Sequence, residues 1–185
     1  MRIAITILLA AALGGCSRKQ PLPVYGQVSP FVLTSETGAT FDSVQALKGK
    51  LWVADFMFTT CMGPCPLMTQ QMRGVQKRTA EIPDLHLVSF TVDPKTDTPP
   101  VLAEYAKKFN ADTERWSFLT GPPDKLNQIG RHALKLNDVD GSFIHSTRFV
   151  LIDRRGYIRG YYDSSVKEDV DRLVADIGTL AKEPV

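Results

Sequence analysis

Asp55-Phe56-Met57-Phe58-Thr59-Thr60-Cys61-Met62-Gly63-Pro64-Cys65-Pro66 decides the fold. It closes an apolar run that begins at Leu51, and Leu51 to Phe58 reads as a buried strand. The strand empties into a turn carrying two thiols. Pro66 stands where a helix can begin, because a proline in the first turn gives up only an N–H that has no helical partner there. Strand, Cys-x-x-x-Cys turn and helix together put both sulfurs near a helix N-terminus. The helix dipole at that end favours thiolate over thiol, so the expectation is an activated pair.

Working outward, Phe31 to Thr34 is a short strand, Gly38 a turn, and Thr40-Phe41 its hairpin return. Pro66 to about Ile82 has helical periodicity through Leu67, Met68, Met72 and Val75. Leu85 to Val92 is β-branched and aromatic, hence a second core strand. Prolines after Asp93 break it and open a helix with Val101, Leu102, Tyr105, Ala106 and Phe109 on one face. Trp116 to Leu119 is a strand, and Leu126, Ile129, Ala133 and Leu134 mark a helix. Thr147–Asp153 and Tyr157–Asp163 flank the turn Arg154-Arg155-Gly156, and Val166 to Ala181 closes the chain as a helix. The order predicts an α/β fold with a mixed central sheet, an N-terminal hairpin and flanking helices, similar to the thioredoxin fold.

A chain of 185 residues suits one domain, and a net charge of +2 gives no basic footprint for nucleic acid. The N-terminus stands apart from the fold. Arg2 precedes the apolar run Ile3 to Leu13, which is too short for a comfortable membrane span, and Leu13-Gly14-Gly15-Cys16 follows. That ending resembles a bacterial lipobox, which implies cleavage before Cys16 and its lipidation. Residues 1–15 are then signal peptide, 16–29 a proline-bearing tether and 30–185 the domain, placed in the bacterial cell envelope as a membrane-anchored lipoprotein. Loss of Arg2 leaves 21 basic against 20 acidic residues.

With Cys16 lipidated, only Cys61 and Cys65 remain as free thiols. An extracytoplasmic compartment allows the pair to oxidise. The loop between them is too short for a disulfide to restrain much chain entropy, so a redox or metal role outweighs a structural crosslink. Three intervening residues, Met62, Gly63 and Pro64, also let both thiolates hold one soft ion such as Cu(I) or Zn(II). A structural zinc site needs four protein ligands, and the histidines are His86, His132 and His145. His86 lies in a strand and His132 in a helix, where ordinary packing or surface roles are the default. His145 precedes the strand at Thr147. In a thioredoxin-like fold that loop comes up against the dithiol turn, where thioredoxins carry a cis-proline. Two thiolates and an imidazole suit three-coordinate Cu(I), although a lone histidine is usually not a ligand. Among the methionines only Met62, inside the turn, is kept as a weak contact; Met57, Met68 and Met72 read as packing residues. Trp52 and Trp116 read as core aromatics, and Arg154-Arg155 as a solvated hairpin tip.

Cys61-Met62-Gly63-Pro64-Cys65-Pro66, Thr91-Val92-Asp93-Pro94 with Asp97-Thr98-Pro99, and His145-Ser146 followed by Phe149-Val150-Leu151-Ile152-Asp153 and Gly156 resemble the Sco/SenC family. The resemblance runs in order from about Val28 to Leu180. It implies a membrane-tethered, thioredoxin-fold copper protein that helps build the dinuclear copper centre of cytochrome c oxidase subunit II, its partner. Carried over by position, Cys61, Cys65 and His145 are ligands for Cu(I) or Cu(II), and Cys61 and Cys65 the redox-active pair. Asp93 falls near the site, and Pro94 directly after it favours a turn role. Many family members use a transmembrane helix as anchor, where this chain carries a lipid signal. A thiol–disulfide oxidoreductase without obligatory copper transfer is the alternative. A peroxiredoxin-like peroxidase is disfavoured: the positions where that family has proline and Thr/Ser hold Ala54 and Phe58 before Cys61, and Phe58 and Met62 before Cys65.

Overall fold

The computed structural model describes residues 21–136 and 146–184. Eight strands form one mixed sheet: β1 Gly26–Gln27, β2 Val32–Ser35, β3 Thr40–Asp42, β4 Leu51–Met57, β5 Leu85–Thr91, β6 Trp116–Thr120, β7 Arg148–Ile152 and β8 Tyr157–Asp163. Their spatial order is β1-β8-β7-β4-β5-β6-β2-β3. β4, β5 and β6 run parallel, whereas β7 pairs antiparallel with β4 and β8 antiparallel with β7. Every residue of β4 and β5 is buried. Both faces of these central strands are covered, which is why their sequences show no polar alternation.

The helices are α1 Ser43–Ala46, α2 Cys65–Arg78, α3 Pro99–Lys108, α4 Pro123–Gln128 and α5 Lys167–Leu180. One face of the sheet packs Val53, Met57 and Phe118 against Met68 and Met72 of α2, Leu102 and Tyr105 of α3 and Leu173 and Ile177 of α5. The other packs Trp52, Phe56 and Phe90 against Phe31, Phe41, Leu126 and Ile129. The predicted fold class holds in each respect: the central sheet is mixed, the N-terminal hairpin pairs Leu33 with Phe41, and helices flank both faces.

The structure departs locally from these expectations in three places. The helix expected through Leu134 is α4 followed by a π-helical turn, Ile129–Ala133. Arg154 is not solvated: its guanidinium pairs with Asp84 at 2.6 Å and donates to the carbonyls of Leu180, Ala181 and Glu183, capping α5. Finally, part of the stretch expected as tether belongs to the sheet. Tyr25 N–H donates to the Ile158 carbonyl and Val28 N–H to that of Gly156, both at 2.9 Å, so β1 covers the edge of β8.

Candidate metal centre

The dithiol turn leaves the C-terminal end of β4, the end of a parallel strand where ligands of open α/β sheets gather. Cys61 N–H donates to the Phe58 carbonyl at 3.3 Å, and Met68 N–H to that of Pro64 at 3.0 Å. Cys65 is the first residue of α2 and fully buried, while Cys61 is half-buried. Neither is in a disulfide, and the Cys61 thiol lies close enough to Cys65 to act on its ionisation. The structure therefore brings this predicted pair together.

The expected thiolate-favouring environment is not what Cys65 meets. Burial is the main influence and pushes its thiol up, and the bond to Cys61 adds to it. The backbone at Phe58 pulls the other way, and the charges of Cys61 and Asp55 oppose ionisation. A side chain at a helix start leans back beneath the preceding turn. Here that direction leads into the cluster of Met68, Met72 and Phe149, where desolvation outweighs the dipole. The buried Cys65 sulfur thus keeps its proton, and a metal or a disulfide there would have to displace it.

Asp97 holds the turn in position. It is fully buried and accepts from the backbone N–H of Thr59 at 3.2 Å and from the hydroxyls of Thr59 and Thr91 at 2.5 Å. One carboxylate thereby ties the approach to Cys61 to the end of β5. Asp93 takes the turn role: its carbonyl accepts from Asp97 N–H at 2.8 Å, and its own N–H donates to Thr91 Oγ1 at 2.9 Å. Below Cys65, Thr69 Oγ1 donates to the Cys65 carbonyl at 2.9 Å. Its oxygen also lies 2.8 Å from the Tyr105 hydroxyl, which is left as the donor.

Asp55 is the acidic intrusion in β4. It is fully buried on the face covered by α2, beside Ser89 of β5, and neither carboxyl oxygen is hydrogen-bonded in the described residues. The Ser89 hydroxyl is close enough to favour the carboxylate slightly, but burial dominates and pushes the carboxyl up to about 7. Asp55 and Asp97 are the site's fully buried acids, and motif reasoning assigned neither a role. For Asp55 a signal existed, an acid inside an otherwise apolar strand. Asp97 stands in the motif Asp97-Thr98-Pro99, but its bond to Thr59 crosses between segments, so the motif alone gave it no role.

The remaining residues separate clearly. Met62 is 100% exposed at the turn's tip, whereas Met57, Met68 and Met72 are core. His86 is buried with Nε2 2.9 Å from Ser117 Oγ, and burial lowers it to about 4, as for a neutral core imidazole. His132 lines a groove of about 590 Å³ with Phe31 and Ile129, on the sheet face opposite Cys65. No group of three or more metal-binding side chains occurs among the described residues. Cys16 and His145 lie outside them. The chain enters β7 through buried Ser146, and β7 runs antiparallel to β4, so this entry stands at the end of β4 from which the dithiol turn leaves.

A model of the SCO1/SenC family matches residues 21–182, a span that contains Cys61, Cys65 and every strand described. The chain belongs to that family. A SCO1 protein homolog of Bacillus subtilis is 32% identical over 181 residues, covering 94% of this chain and 91% of its own. A SCO1/SenC family lipoprotein from Bacillus anthracis superposes with a TM-score of 0.75 at 34% identity, over 84% of this chain and 95% of that one. BsSco, described as a member of the Sco family of cytochrome c oxidase assembly proteins and as containing a disulfide switch, gives 0.74 at 28%, over 89% and 100%. Yeast Sco1 solved with copper bound gives 0.63 at 27%, over 83% and 93%. This Sco chain shares their thioredoxin-like architecture, and its family binds copper.

Proposed function

We propose that this chain is an extracytoplasmic copper metallochaperone, anchored through lipidated Cys16, that holds copper with Cys61, Cys65 and His145. It passes the ion by thiolate exchange to the dinuclear copper site of cytochrome c oxidase, or reduces the oxidised cysteines of that site to thiols. The observation that carries the reading is the facing sulfur pair at the start of α2, one half-exposed and one buried. The half-exposed sulfur is where a partner's thiolate would attack, while the buried one retains the ion until transfer. Copper-bound yeast Sco1 and the B. anthracis lipoprotein support the cargo and the anchor respectively.

A spectroscopic copper titration of the reduced protein tests the ligand set. The expected result is one copper per chain, lost in Cys61→Ser and Cys65→Ser. His145→Ala is expected to weaken Cu(II) more than Cu(I), since the softer ion relies more on sulfur. Absence of tight one-to-one binding by the wild type overturns the reading.

The same asymmetry favours a second reading, thiol–disulfide exchange. Cys61 thiolate attacks a partner disulfide and expels one partner thiolate; Cys65 then attacks the Cys61 sulfur of the mixed disulfide and expels the second partner thiolate. The partner gains two electrons and two protons, and the chain ends as Cys61–Cys65 disulfide. Turnover by metal-free protein, unchanged in His145→Ala, distinguishes this route from copper delivery.

A further inference from the structure

The N-terminal segment is fixed to the domain at the pole opposite the dithiol. Arg159 of β8 is 4% exposed and donates to the carbonyls of Leu22 at 2.9 Å and Pro23 at 3.1 Å. The same guanidinium pairs with Asp153, just past β7, at 2.9 Å and with Glu183, just past α5, at 3.3 Å. Leu22 packs against the main core cluster, Tyr25 and Val28 bond to the edge of β8, and the Lys135 ammonium donates to the Tyr25 carbonyl at 2.6 Å. β7 runs antiparallel to β4, so Asp153 lies at the start of β4, whereas the dithiol turn lies at its end. The chain therefore enters the fold, firmly held, at the far end of the molecule from Cys61.

Only six residue steps separate Cys16 from Leu22. Fully extended, they span at most about 20 Å at roughly 3.5 Å each. The domain's radius of gyration is about 15 Å by the size scaling of compact chains, which corresponds to a body about 40 Å across. Turning the dithiol pole onto the lipid would require a leash about as long as the body, roughly twice what is available. Had the tether been free to residue 29, as composition suggested, thirteen steps would allow about 45 Å and leave the orientation open. The strap on β8 removes that freedom.

We propose that the anchored domain rides with its β7–β8 turn pole toward the bilayer and carries the dithiol on the outward side. It then exchanges copper or electrons only with a partner site that stands clear of the lipid surface, in an aqueous domain and not among membrane-spanning helices. The proposal rests on the lipid anchor at Cys16.

The test uses the full chain, processed in a bacterial host and placed in phosphatidylethanolamine/phosphatidylglycerol vesicles with a headgroup-linked acceptor dye. In a Cys61→Ser, Cys65→Ser background, a donor dye goes on Met62→Cys at the dithiol tip or on Lys182→Cys at the opposite pole. Both parent residues are exposed, so neither change disturbs the core. Energy transfer is expected to be at least fivefold stronger from position 182. Inserting twenty Gly/Ser residues between Ser17 and Arg18 is expected to bring the two within twofold. Equal transfer from both positions on the native leash, with Cys16 shown to be diacylated by mass spectrometry, overturns the orientation and leaves the anchor standing. An unmodified Cys16 overturns the anchor and the orientation with it.

Discussion

At the scale of single residues, the site is governed by what burial does to ionisable groups. Asp55 and Cys65 share the sheet face beneath α2, and both are pushed toward their neutral forms by desolvation. For Asp55 the consequence for stability has a definite sign. Its carboxyl rises from 3.8 unfolded to about 7 folded, so between these values the folded chain holds a proton that the unfolded chain releases. The associated stability is fully present below about pH 4, falls as pH rises, and is gone above about pH 7. Asp55→Asn removes this dependence while keeping the shape. We expect the variant to match the wild type near pH 4 and to exceed it at pH 8 by on the order of 4 kcal/mol, with less if the site relaxes. Urea unfolding of the metal-free, reduced protein at the two pH values checks this. A wild type as stable at pH 8 as at pH 4, relative to the variant, would show that the carboxyl is not neutral in the fold.

At the scale of elements, the dithiol turn is held by its neighbours more than by its own bonds. Its closing backbone bond at Cys61 is long, at 3.3 Å, while Asp97 draws Thr59 and Thr91 onto one carboxylate. Removing that acceptor leaves the Thr59 N–H and two hydroxyls without it in a buried place. Asp97→Ala is expected to cost about 2–4 kcal/mol, and Thr59→Val, which removes one hydroxyl, about 1 kcal/mol. Denaturant midpoints at unchanged slope measure both. Copper affinity should fall in Asp97→Ala although Asp97 is no ligand, because the turn that presents Cys61 is no longer fixed. A loss below about 0.5 kcal/mol in Asp97→Ala would mean that Asp97 does not hold the turn. The boundaries of these elements were largely legible: β4, β5 and β8 follow apolar or β-branched runs, and α2 follows Pro66. The π-helical turn at Ile129–Ala133 and the strand at Gly26–Gln27 were not. A two-residue edge strand has no periodicity to read and exists because β8 offers it partners.

At the scale of the whole molecule, the fold places the dithiol turn at the pole opposite the one where the N-terminal segment is strapped to β8, and copper held at the proposed site would stabilise the folded chain. An ion that binds only the folded chain adds about 4 kcal/mol when its free concentration is about a thousandfold above Kd. Copper(I), buffered to that excess, should therefore raise the unfolding midpoint of the reduced protein. A chelator should reverse the rise, and Cys65→Ser should abolish it. An unchanged midpoint in the wild type would mean that the folded dithiol pole is not where copper binds.

The sequence by itself determined the architecture and the sulfur pair. Hydrophobic period, proline placement and Cys spacing are local, and the chain writes them out in order. Only the tertiary structure decided how each sulfur is buried, that Asp97 anchors the turn, that Asp55 is enclosed without a hydrogen-bond partner among the described residues, and that Arg159 fastens Leu22 and Pro23 at the far pole. These properties arise between segments tens of residues apart. Desolvation and hydrogen-bond pairing depend on what lies across the core, and no local pattern carries that information.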